Sequence, residues 1–233
     1  MTRPRQCFLQ TVILLVVFSV VRGLGLAGPP SVSVAVLTAA LAVVAWRCGA
    51  SPADLGLERG AVPSGVRYGA ASFGAVGLVV LLAAVVPLTQ PALHDSRGDI
   101  TGGRLLYELT VTVALLTAVP EEFAFRGVLL GSATILWGPR RGTWVTALLF
   151  GLWHIQPTLH TMSDNRAVGG ASTQLAGRVA LVAGAVLVTF VAGLAFAWLR
   201  LRSRSLVAPV LAHVATNGFA LVAAWAVAHQ WLS

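Results

Sequence analysis

Apolar runs of about 20 residues, the length a membrane-spanning helix needs, recur from one end of this chain to the other. At roughly 1.5 Å per residue, each run crosses a hydrocarbon core about 30 Å thick. Lipid offers the backbone no hydrogen-bond partners, so a spanning segment must bond within itself as a helix or close into a barrel. The runs cover residues 8–26, 31–46, 68–88, 105–137, 143–156, 178–199 and 206–231. They predict an all-α polytopic membrane bundle of seven to eight transmembrane helices. No polar stretch is long enough for a soluble unit, so residues 1–233 read as one integral membrane domain. Composition agrees: 57% of residues are hydrophobic and 10% charged, against about 25% charged in soluble domains.

The fourth run is too long for one span. Its length as a helix is about 50 Å, and Pro120 interrupts it just before Glu121, Glu122 and Arg126. A proline inside a helix removes a donor and crowds the preceding turn. The expectation is a helix broken near Pro120, its second piece bending along or back into the membrane; that break accounts for the eighth span. The fifth run is expected to stop at Pro157.

The net charge of +8 comes from sixteen arginines, with no lysine, against eight acids. A basic chain suggests nucleic acid, but these arginines sit in short loops between apolar runs. One set of connectors holds Arg3, Arg5, Arg47, Arg59, Arg67, Arg140, Arg141, Arg200, Arg202 and Arg204. In the alternate loops Asp95 and Asp99 offset Arg97 and Arg104, and Asp164 offsets Arg166. That asymmetry is the positive-inside signature: it puts the N-terminus in the cytoplasm and leaves lipid, not nucleic acid, as the partner. Arginine without lysine, beside abundant Ala, Val, Gly and Leu, fits a GC-rich genome; the expected location is a bacterial plasma membrane. Gly25 and Ala27 also suit a signal-peptide cleavage site, although several further spans follow and need no such signal. Cys7 and Cys48 have no metal or redox spacing and read as unpaired thiols.

Ionisable residues inside a span are costly unless paired or hydrated, which makes them functional candidates. Glu122 and Arg126 are i,i+4 on a helix and can neutralise each other. Glu121 lies about 100° round the helix and faces no local cation. Acids at an interfacial helix N-terminus would account for both carboxylates equally well. His154 falls in the fifth run, while His213 and Asn217 lie i,i+4 in the last; a lone intramembrane histidine is often only a hydrogen-bonded packing residue. From the cytoplasmic side His154 is roughly 16 Å deep and His213 roughly 14 Å, while Glu121 is roughly 24 Å from the outer side. All three are expected to meet in the inner half of the bilayer. A carboxylate and an imidazole can deprotonate a water, and a second imidazole with an amide can stabilise an oxyanion. Alternatively Glu121, His154 and His213 would bind zinc with water as fourth ligand. Neither HExxH nor GxSxG occurs.

Glu121-Glu122-x-x-x-Arg126, Phe150-x-x-x-His154 and His213-x-x-x-Asn217 follow one another on successive membrane segments. This ordered set resembles the CAAX protease and bacteriocin-processing family (CPBP, Abi, type II CAAX prenyl endopeptidase), over roughly residues 105–225. The resemblance implies an intramembrane endopeptidase, its site open toward the cytosol, acting on a membrane-tethered or prenylated-type peptide or protein. It implies that Glu121 and His154 activate water and that His213 and Asn217 stabilise the oxyanion. Glu122, Arg126 and Phe150 would be supporting residues. Both a zinc-dependent and a metal-free mechanism are compatible with it. An eighth span, frequent in the family, has little chain left for it after Trp231. His94, His160 and His229 are expected to have no role, and Glu108 to anchor a span end. Two other classes use the same buried groups: an ion- or proton-coupled transporter, and a non-catalytic bacteriocin-immunity protein on the same fold.

Overall fold

Each apolar run folds as a helix in the computed structural model, which describes residues 3–86, 93, 95–161 and 174–231. His94, Asp164, Arg166 and most of the loop 158–175 lie outside the described residues. Five helices are long and apolar enough to cross a membrane: Arg3–Gly23, Pro30–Arg47, Pro52–Ala84, Leu175–Ser203 and Val207–Ala228. Between them lie a long helical run from Gly102 and a shorter return helix that ends at Trp153. The chain is an integral membrane protein of all-helical architecture.

The run from Gly102 does not break at Pro120. Ala118, Glu122 and Phe123 all keep right-handed helical backbone angles. What changes is the hydrogen-bond register. Glu108–Ala118 and Phe123–Leu129 form π-helical turns, and the Val119 N–H reaches back five residues to the Ala114 carbonyl. A proline in an α-helix strikes the carbonyl four residues earlier. The wider turn before Pro120 relieves that clash, so the rod continues. The turn comes instead at Gly138, where φ 79° and ψ 165° take the chain out of helical geometry. Glycine tolerates that positive φ without a side-chain clash, and Pro139 restarts a helix. Pro157 does not stop the next segment either. The helix ends at Trp153, and Pro157 sits in the first turn of Ile155–Thr161, where its missing N–H has no partner to lose.

Two ends of the bundle are well defined. At one, Arg200 Nη2 donates to the Ala53 and Asp54 carbonyls at 2.9 and 3.0 Å. There too the Leu206 N–H reaches the Gly56 carbonyl at 2.9 Å, and Phe8 meets Trp137 edge-on at 4.9 Å. At the other, Trp225 Nε1 donates to the Ile100 carbonyl at 2.9 Å, and Gly23 faces Gln156. The buried core between them includes Leu41, Phe125, Leu129, Phe150, Phe196 and Ala212.

Glycine sets the closest helix approach next to the site. A Cβ on Gly151 would stand 2.8 Å from the Val186 carbonyl oxygen and 3.2 Å from Phe190 Cβ. Backbone cannot give way as a flexible side chain does. Gly151→Ala is therefore expected to lower stability by about 1–3 kcal/mol, read as a drop in Tm of the detergent-solubilised protein.

Candidate active site

Phe150 is the hub of the polar centre. It is buried, and its ring lies 4.0 Å from the Arg126 guanidinium, 4.6 Å from the His154 ring and 6.0 Å from the His213 ring. Three motif elements thus meet at one phenyl group. Phe196 closes another wall, stacked on His213 at 5.3 Å and 5.1 Å from the Arg126 guanidinium. These aromatic faces receive a cation that has no water around it.

Behind Phe150 lies a sealed ion cluster. Glu122, Arg126 and His213 are 0%, 1% and 3% exposed. Arg126 Nη1 donates to Glu122 Oε1 at 3.0 Å, so the i,i+4 pair is formed. Arg126 Nη2 donates to the Gly193 carbonyl at 3.3 Å, which ties the rod to helix Leu175–Ser203. His213 Nδ1 stands 2.8 Å from the same Glu122 Oε1. A carboxylate paired with arginine can only accept, so His213 carries its proton on Nδ1 and turns Nε2 outward. Glu122 thus joins the fourth run to the last helix.

Glu121 points elsewhere. Its Oε1 accepts from Trp153 Nε1 at 3.1 Å, and its Oε2 is buried with no partner among the described residues. Trp153 is itself held, stacked on Phe18 at 5.9 Å and edge-on to Phe125 at 5.9 Å. Glu121 and Trp153 line a cavity of about 290 Å³. Buried Ala124 and Phe125 also line it, and exposed Arg22, His160 and Thr161 stand at its rim.

His154 caps the helix that ends at Trp153 and is half-buried. Its Nδ1 donates to the Phe150 carbonyl at 2.8 Å, because a carbonyl only accepts. In neutral imidazole that leaves a lone pair on Nε2. Asn217 lies one turn beyond His213 and is exposed.

Two sets therefore appear where one was expected. Glu122, not Glu121, bonds His213, while Glu121 bonds the residue next to His154. Among the described residues, no three His, Cys, Asp or Glu side chains stand together closely enough to hold a metal ion. The Glu121 cavity also has a definite place along the bundle. It lies along the second half of Arg3–Gly23 and the start of Pro30–Arg47, away from the arginine-rich end. Sequence reasoning passed over Trp153 and expected no role for His160, which lines the cavity. An indole N–H inside an apolar run needs an acceptor, and that need was a usable signal for Trp153. His160 carried no comparable signal.

No curated protein and no solved structure matches this chain. Residues 104–219 match the family described as Type II CAAX prenyl endopeptidase Rce1-like. That stretch holds all three motifs, from Glu121 to Asn217, and with it the buried cluster, Trp153 and His154. The chain belongs to the type II CAAX prenyl endopeptidase Rce1-like family of intramembrane proteases.

Proposed function

We propose that this protein is an intramembrane endopeptidase that hydrolyses a peptide bond of a membrane-tethered substrate with a water activated by Glu121 and His154. One observation carries the reading: Glu121 lines a cavity, is anchored through Oε1 on Trp153, and has a buried Oε2 with no partner among the described residues. A carboxylate that lines a cavity and faces no local cation suits a general base.

In the proposed reaction the Glu121 carboxylate takes a proton from water as the water oxygen bonds to the scissile carbonyl carbon. His154, its Nδ1–H fixed on Phe150, offers the Nε2 lone pair to orient that water. The carbonyl π electrons move to oxygen, and in this reading the Asn217 amide donates to the resulting oxyanion, while His213, its Nδ1 proton committed to Glu122, belongs to the buried cluster that supports the site. The oxyanion then collapses, the C–N bond breaks, and Glu121 returns its proton to the leaving amine. A carboxylic acid and an amine result, and the acid then gives its remaining proton to the amine or to water. Glu122 and Arg126 hold His213 in place and do not touch the substrate.

The test is cleavage of a membrane-tethered peptide library, prenylated and unprenylated, by the wild type, Glu121→Ala and His154→Ala. Loss in both variants, with folding intact, supports the assignment; equal cleavage by all three removes it. Among the described residues no three His, Cys, Asp or Glu side chains stand together, which supports the metal-free form of this reading; in that form cleavage is expected to survive exhaustive chelation, measured on the same peptides. Trp153 is a positioning residue. Trp153→Phe keeps the aromatic packing but deletes the donor to a charged oxygen, a bond worth roughly 1.5–3 kcal/mol. It is expected to lower kcat about 10- to 100-fold and to leave KM little changed, as steady-state kinetics would show.

A further inference from the structure

The turn at Gly138 carries two arginines that no carboxylate neutralises. The helix that ends at Trp153 restarts at Pro139, so Arg140 and Arg141 fall in its first turn. Cations are disfavoured at that end of a helix dipole, so helix stability does not account for the pair. Both residues are exposed. Among the described residues, neither forms an ion pair with an acid.

Two tryptophans flank the pair. Trp137, Arg140, Arg141, Trp144 and Val145 line an open recess of about 530 Å³. Trp137 is held on Phe8, edge-on at 4.9 Å, and Trp144 on Phe190 at 5.6 Å. The two rings still remain 42% and 55% exposed. Indoles presented in this way settle at the headgroup level of a bilayer. Leu148 and Leu152 follow Trp144 at i+4 and i+8, on the same helix face, and both are exposed. An apolar stripe therefore runs from the recess along the membrane helix.

Charge makes the recess an anion site, and its surroundings select the anion. Guanidinium groups hold phosphate oxygens in a bidentate fork. A free phosphate would use the arginines alone. An anionic phospholipid would use the arginines for its phosphate, the indoles for its glycerol region and the leucine stripe for an acyl chain. A choline headgroup would bring a second cation to two that already lack a partner. We infer that this recess binds an anionic phospholipid, with the phosphate on Arg140 and Arg141 and an acyl chain along Trp144, Leu148 and Leu152. Neither peptide cleavage nor the side of the membrane on which the recess lies enters into it.

Native mass spectrometry of the full chain in detergent counts bound lipid directly. The wild type is titrated with dioleoylphosphatidylglycerol, with dioleoylphosphatidylcholine and with inorganic phosphate. Two double variants are compared with it: Arg140→Gln with Arg141→Gln, and Arg59→Gln with Arg204→Gln. The second removes the same charge from exposed arginines of two other connectors. The wild type is expected to retain phosphatidylglycerol at concentrations where phosphatidylcholine does not bind, and inorganic phosphate is expected not to displace it. The first double variant should weaken phosphatidylglycerol binding roughly 10- to 30-fold, as the loss of two cations near a lipid phosphate implies. The second should change it less than about twofold. Equal retention of the two lipids by the wild type, or equal weakening by the two double variants, would overturn the inference. Displacement of the lipid by an equal concentration of inorganic phosphate would overturn it too, and would mark a free-anion site.

Discussion

Glu122→Ala is expected to destabilise the protein by on the order of 3–5 kcal/mol, the usual result of removing one partner from a buried ion pair. The cause is what remains behind. Arg126 would keep its charge beneath Phe150 and Phe196 with only the Gly193 carbonyl as acceptor. His213 would lose the acceptor that fixes its Nδ1 proton. Arg126→Leu should cost a similar amount, because it leaves the Glu122 carboxylate buried with His213 alone. The double variant Glu122→Ala with Arg126→Leu should cost less than the sum of the singles, since no unpaired charge is left. Thermal unfolding of the four proteins in one detergent checks this. Additive losses would show that the two residues act separately and that the cluster is not the clasp between the fourth run and the last helix.

Glu121→Gln carries the largest expected effect on activity. The amide keeps the shape and can still accept from Trp153 Nε1, so folding should be unchanged. It cannot take a proton from water. General acid–base catalysis contributes about 10²–10⁴-fold, and a loss of that order in kcat is expected. The same substitution separates the two carboxylates: adjacent in sequence, they differ in chemistry because only one is neutralised. Each has one buried oxygen without a partner among the described residues, but on its other oxygen Glu122 has an arginine and a histidine, whereas Glu121 has only an indole N–H. Near wild-type kcat in Glu121→Gln would move the general base elsewhere.

The helices were legible because spacing and hydropathy are local properties. So was the Glu122–Arg126 pair, since i,i+4 on a helix forces the contact. The passage through Pro120 was not. Whether a proline breaks a rod depends on the turn before it, and Leu105–Ala118 gives no local cue that its hydrogen bonds will run i→i+5. The histidine partners were also hidden. Which carboxylate meets His213 is decided by how helix Val207–Ala228 packs against the fourth run, a long-range fact that depth along each helix cannot supply. Depth placed Glu121 only along the bilayer normal. It did not show that the side chain turns toward Phe18 and Trp153 and away from the basic end.

The central claim is that water activated at Glu121 cleaves a membrane-tethered peptide, and one comparison tests it most directly. Wild type and Glu121→Gln, both reconstituted in liposomes, are incubated with the same tethered peptide library and the products read by mass spectrometry. Discrete pairs of new carboxyl and amino termini from the wild type, absent with Glu121→Gln, are the predicted result. No new termini from either protein, together with proton uptake that depends on Glu121, would contradict it and mark the buried groups as a transport relay.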